Sequence, residues 1–107
     1  MGSFFREVAA LARFGADKGT KADLAAGDRL FAGLNCFEAG QAQPVHAHRG
    51  ADKFYFVVSG KARMVVGDEE RVAEAGTFVW APADVPHGVL EALERTVMLV
   101  ALAPPPR

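Results

Sequence analysis

Cysteine is nearly absent from this sequence: Cys36 is the single one among 107 residues. An internal disulfide is therefore excluded, which fits a reducing compartment. The charged residues Arg6 and Glu7 interrupt the apolar N-terminal stretch, a pattern that argues against a signal peptide. We therefore expect a cytoplasmic protein.

Long apolar runs and an excess of either charge are also missing. No run reaches the roughly 18 apolar residues that a membrane-spanning helix needs. The 12 basic and 13 acidic side chains leave a formal net charge of −1. We therefore expect neither a membrane nor a nucleic-acid partner. A chain of 107 residues suffices for one domain with a modest core, and we assign residues 1–107 to it.

What the sequence does contain is a series of short apolar segments separated by glycine. The segment Lys53–Ser59 is rich in aromatic and β-branched residues, a composition typical of a strand that is covered on both faces. Segments of this kind at regular turn spacing predict an all-β sandwich or barrel, with its core at about 28–103. Residues 3–14 have the apolar spacing of one short amphipathic helix, but they fit an edge strand equally well.

The three histidines are the residues with the clearest chemical signal. His46 and His48 are one residue apart, so on a strand both side chains point to the same face. His87 follows much later, in the segment APADVPHGV. Imidazole nitrogens are good ligands for several divalent metals, and a shared metal site is the main functional hypothesis.

Around the first two histidines, the glycine spacing resembles the first motif of the cupin superfamily. That motif has five residues between a glycine and His-x-His, three or four residues between His-x-His and a glutamate, and six residues between the glutamate and a second glycine. In this sequence the corresponding residues are Gly40, His46, His48, Lys53 and Gly60.

The third histidine lies in a segment that resembles the second cupin motif. Here Gly76 is followed after five residues by Pro82-Ala83-Asp84, after two more by His87, and after three more by Glu91. Asp84 and Glu91 stand where the motif has glycine and asparagine. The resemblance implies a double-stranded β-helix, in which the three histidines would hold iron, manganese, nickel or zinc.

The glutamate of the first motif is the main departure. Counting back from Gly60, its position is Lys53, whereas the shorter spacing from His48 gives Asp52. Neighbours on a strand alternate sides, so only one of them can face inward. Both sets of alternating residues are mostly apolar, and the count to Gly60 favours Lys53. A metal without the carboxylate would be held by three histidines with open positions, as in catalytic rather than closed structural centres.

The rest of the site is predicted from composition and from the resemblance. Tyr55 and Trp80 are expected to line the pocket, and Trp80 alternates with Phe78 on a strand that packs inside the barrel or across a subunit interface. Small cupins commonly pair their sheets, so we expect a homodimer. The expected ligand is a small molecule. The metal would serve an oxygenase or isomerase, or alternatively the pocket belongs to a non-catalytic binding module.

Overall fold

Strands dominate the computed structural model, which describes residues 3–106. Helix is limited to a single turn near the N-terminus. In chain order the elements are α1 (Val8–Leu11), β1 (Thr20–Ala26), β2 (Phe31–Phe37), β3 (Gln43–His46), β4 (Asp52–Ser59), β5 (Lys61–Val66), β6 (Glu69–Glu74), β7 (Phe78–Ala81), β8 (His87–Ala92) and β9 (Thr96–Ala103).

The strands form two antiparallel sheets that pack face to face as a barrel. One sheet has five strands in the order β1-β2-β9-β4-β7, and the other has four in the order β3-β8-β5-β6. This is the all-β, two-sheet architecture that the sequence predicts. Strand β1 is paired along its whole length with β2, so the five-stranded sheet begins before the predicted core range of 28–103.

The N-terminal segment covers the outer face of the five-stranded sheet. Residues 3–14, which the sequence left between helix and strand, form the one-turn α1 and otherwise lie outside both sheets. Val8, Leu11 and Phe14 pack on a buried cluster that includes Leu34 and Cys36. Cys36 is therefore a small apolar core residue outside the barrel, away from the cavity.

Alternate residues of strand β4 face the barrel interior and the outer face of the sheet. Lys53, Tyr55 and Val57 are buried and point inward, whereas the intervening Phe54 and Phe56 face outward. The inward side chains join one apolar core with residues from both sheets. Its buried members are Phe37, Tyr55, Val57, Ala62, Met64, Ala73, Ala81, Val89, Ala92, Met98 and Val100.

Gly60 connects the two sheets between β4 and β5. Its φ is +91°, and a Cβ at this position would overlap the carbonyl oxygen of Arg95 and the side chain of Thr96. Both constraints require glycine at the end of the first histidine motif.

No helix among residues 3–106 is long and apolar enough to cross a membrane.

Candidate metal centre

The three histidines meet at one end of the four-stranded sheet. His46 is the last residue of β3 and His87 the first of β8, and these two residues are direct partners in the antiparallel ladder. His48 follows two residues later, in the β3–β4 loop. One ligand nitrogen from each ring lies within 4.8 Å of the others. The predicted ligand residues are therefore together in space, although they are separated by up to 41 positions (87 − 46) in the chain.

Backbone carbonyls orient two of the three rings. His46 Nδ1 lies 2.7 Å from the carbonyl oxygen of Pro44, and His87 Nδ1 lies 3.0 Å from that of Val85. A carbonyl oxygen can only accept, so in both rings Nδ1–H is the donor and the neutral ring keeps its lone pair on Nε2. Hydrogen bonds of this kind fix the orientation of metal-ligating histidines.

The buried ring of His87 supplies the direct test of whether a metal fits. His87 is 1% exposed, and its Nε2 has no hydrogen-bond partner among residues 3–106. Buried polar nitrogens nearly always have a partner. The lone pair on His87 Nε2 has none in the described part of the chain and lies near two other imidazoles, so it is placed to bind a Lewis acid. A divalent cation has this property, and the donor set suits it.

The surroundings of His48 and His87 favour neutral imidazoles. Burial is the main cause that lowers the pKa of His48 to about 4, and the charge of Lys53 adds to it. Burial also lowers the pKa of His87, against the raising effect of its bond to Val85. Only a neutral imidazole can ligate a metal, so these shifts favour binding at neutral pH.

At the position of the missing glutamate, the structure places Lys53 inside and Asp52 outside. Lys53 is 7% exposed, and its Nζ lies 4.5 Å from the centroid of the Tyr55 ring. Burial, together with the charge of Lys21, lowers the pKa of Lys53 to about 8. Asp52 is exposed, and its Oδ1 accepts a hydrogen bond from the backbone N–H of Ala83 at 2.9 Å.

This hydrogen bond of Asp52 is part of a connection between the β3–β4 loop, which carries His48, and the β7–β8 loop, which leads into His87. The backbone N–H of Asp84 donates to the carbonyl of His48 at 3.0 Å. In the reverse direction, the backbone N–H of Gly50 donates to Asp84 Oδ1 at 3.1 Å. Asp84 has a φ of +70°, so it adopts the conformation expected of the glycine that the motif has here. Its side chain then adds a bond that glycine lacks.

Of the two predicted pocket residues, Tyr55 lies beside the histidines and Trp80 does not. Tyr55 is fully buried, its ring centroid is 6.0 Å from that of His87, and its hydroxyl donates to Gln43 Oε1 at 2.6 Å. Trp80 pairs with Phe54 in the β4–β7 ladder and therefore shares the outward face of the sheet. Its side chain is 49% exposed and borders a separate groove of about 480 Å³ between β6 and β7.

His46 and His48 open on a cavity of about 950 Å³ between the sheets. Its lining includes Lys21 on β1 and Asn35 on β2, which sequence reasoning did not single out. The signal for Asn35 was available, since it is the one polar residue within the apolar strand FAGLNCF. Lys21 carried no such signal, because a lysine on an edge strand is ordinarily a solvated residue.

Comparison with known proteins assigns the family. Residues 33–102 match the family model described as a cupin domain, and they include all three histidines. That range is well over half of the chain. This chain belongs to the cupin family.

Relatives of this cupin share both sequence and structure. An uncharacterized protein of Streptomyces coelicolor is 37% identical over 73 residues, which are 68% of this chain and 69% of that protein. The crystal structure of the protein TT1209 from Thermus thermophilus superposes with a TM-score of 0.91 at 35% identity, over 97% of this cupin and 100% of that chain. An RmlC-like cupin from Desulfovibrio desulfuricans gives a TM-score of 0.85 at 29% identity, over 99% of both chains.

Proposed function

We propose that this cupin binds one divalent metal ion through His46, His48 and His87 and acts on a small organic molecule at that site, as an oxygenase or isomerase. The unsatisfied, buried Nε2 of His87 is the observation that carries the proposal. The bound ion supplies Lewis acidity and open coordination positions for a substrate. The carbonyls of Pro44 and Val85 hold two of the rings in place.

Metal titration tests the proposal. We expect iron(II), zinc, nickel or manganese to bind by calorimetry at one ion per chain. His48→Ala is expected to abolish binding while circular dichroism shows the strands intact, because His48 lies in a loop. Arg71→Ala, an exposed change on β6, is the control that leaves binding unchanged. If none of the four metals binds to the wild-type protein, the proposal is refuted.

A non-catalytic binding module is the second candidate, and one observation favours it. None of the residues that line the cavity, all within 3–106, carries a carboxylate, so no carboxylate general base faces the histidines. Oxygen consumption by the iron-loaded protein with thiols, diketones and phenolic acids separates the candidates. Turnover of any of these compounds supports the enzyme, and no response across the panel favours the module.

We also propose that this cupin forms a homodimer through the outward face of β4 and β7. Three exposed apolar side chains and one half-buried one form a patch there: Phe56, Phe78 and Trp80, with Phe54. The rings of Phe54 and Phe78 stack with centroids 5.1 Å apart, which makes the patch continuous. Exposed apolar patches of this kind are typical of protein interfaces. Light scattering that gives twice the chain mass of 11.4 kDa would support the dimer.

A further inference from the structure

The five-stranded sheet forms a cationic wall of the cavity, facing the sheet that carries His46 and His87. Lys53 on β4 and Lys21 on β1 belong to this wall, and Asn35 on β2 is the direct ladder partner of Lys21. Lys18, just before β1, adds a third ammonium group to the lining. Among the described residues that line the cavity there are three lysines and no carboxylate side chain, so these residues give the lining a net positive charge.

Lys53 is the buried member of this wall. It is 7% exposed, and none of the ion pairs or hydrogen bonds found among residues 3–106 involves its Nζ. Lys53 Nζ lies 4.5 Å from the centroid of the Tyr55 ring. A cation–π contact of this kind offsets only part of the free-energy cost of burying the ammonium group. Burying a charge without a counter-charge is costly, so this position is suited to an anion that enters from the cavity.

Asn35 provides a second, independent observation. It is 4% exposed and lines the cavity, and its Nδ2 has no hydrogen-bond acceptor among the residues that the structure describes. An amide N–H that is buried and unsatisfied requires an acceptor, which an oxyanion provides. The buried ammonium and the buried amide donor line the same cavity at different levels: Asn35 pairs with Met98 of β9, which pairs with Val57, whereas Lys53 pairs with Leu102. Together they offer a small organic anion a positive charge and, at another oxygen, a hydrogen-bond donor.

We propose that this wall binds a small organic anion, with Lys53 and Lys21 supplying charge for a carboxylate and Asn35 a hydrogen-bond donor for another oxygen of the same molecule. The substrate class of the proposed metal site is then a small organic acid, whose other end reaches the histidines. This last step rests on the proposed metal function, whereas anion binding by the wall does not. In this cupin, the lysine that replaces the motif's glutamate changes the site from one that repels carboxylates to one that attracts them.

Succinate and its neutral analogue succinamide are suitable probes. With ¹⁵N-labelled protein, after metal removal and again after zinc loading, we expect succinate to shift the side-chain amide resonances of Asn35 saturably and succinamide not to do so. Lys53→Met should weaken succinate binding about tenfold or more, as the loss of a charge-assisted hydrogen bond predicts. Lys21→Gln should weaken it less, since Lys21 is exposed. Lys61→Met, on the other sheet, is the matched control and should leave binding unchanged.

Zinc affinity distinguishes failure of this subsite from failure of the metal site. Lys53→Met should bind zinc no more weakly than wild type, because it removes a positive charge near His48. Unshifted Asn35 resonances, equal binding of succinamide, or wild-type succinate affinity in Lys53→Met would each overturn the subsite. If Lys53→Met does not fold, Lys21→Gln and Asn35→Asp replace it, and wild-type affinity in both would overturn the subsite. Succinate binding without any zinc binding would refute the proposed function and leave the subsite standing.

Discussion

Lys53 shows how one residue can lower stability in the service of a site. Its ammonium group is buried beside Tyr55 without a counter-charge, and burial is the main cause that lowers its pKa from 10.5 to about 8. The folded state therefore binds this proton less tightly than the unfolded chain. Below pH 8 both states are protonated and the folded protein bears the full cost. Between pH 8 and 10.5 the unfolded chain binds more protons, so this cost falls as pH rises.

We therefore expect Lys53→Met to be more stable than wild type, by about 1–3 kcal/mol at pH 7. The difference should shrink as pH rises from 8 to 10.5, because the wild-type lysine becomes neutral in the folded state. Urea denaturation of metal-free protein across this pH range, in buffer without carboxylates, measures it. A difference that is independent of pH would show that the charge of Lys53 does not destabilise the fold.

At this same position the alternation of apolar residues along β4 could not decide whether Asp52 or Lys53 faces inward. Both sets of alternating side chains on β4 are mostly apolar, since the outward face also carries Phe54 and Phe56. That outward face is exposed in the single chain, which no periodicity within β4 reveals. The six-residue count to Gly60 predicted the observed orientation, because Gly60 has its own steric requirement at the end of the strand.

Among the elements, the β3–β4 loop that carries His48 and the β7–β8 loop that leads into His87 are joined by hydrogen bonds. Asp84 connects them through its backbone N–H and its carboxylate, and Asp52 adds a third bond to Ala83. The backbone at His48 and the chain that leads into His87 are thus held by contacts outside the proposed metal site. Contacts that hold metal ligands in place from outside typically change metal affinity about 10–100-fold when they are lost.

Asp84→Ala is expected to lower the free energy of unfolding by about 1–3 kcal/mol, because alanine is strained at positive φ and cannot accept the bond from Gly50. Zinc affinity should fall about tenfold as the loops loosen. Asp84→Asn is the matched variant, since asparagine tolerates this φ and keeps an acceptor. Chemical denaturation and calorimetry measure both effects. Equal losses in the two variants would contradict the role of the backbone and carboxylate together.

Most strands were predictable because glycine turns separate segments of β composition, as between β4 and β5 at Gly60. The N-terminal segment was not, because α1 contains only 4 residues and its apolar side chains serve contact with Leu34 and Cys36 instead of a helix repeat. Of the two places expected for Trp80, the barrel interior is wrong, because the β4–β7 register puts Trp80 on the outward face with Phe54, and the sequence does not specify that register.

For the whole molecule, the exposed face of β4 and β7 predicts the assembly. Phe78 is 57% exposed at the edge of the sheet, so a charge there should leave the barrel folded and disrupt a dimer. We expect Phe78→Arg to give the mass of one chain by light scattering where wild type gives two. Leu30→Arg, a similarly exposed apolar residue in the β1–β2 turn, should retain the wild-type mass. A wild-type monomer at micromolar concentration would refute the dimer.

Strand β1 and the residue Lys18 before it contribute positive charge to the cavity lining. The three histidines proposed as metal ligands lie within residues 33–102, which match the cupin domain, whereas Lys18 and Lys21 precede that range. A protein that replaced its first two dozen residues would keep the three imidazoles and acquire a new charge at the entrance. The three histidines and part of the charge at the cavity entrance are therefore encoded in separate stretches of the chain, so exchanging the N-terminal segment would change the entrance charge while Asn35 and Lys53 stay in place.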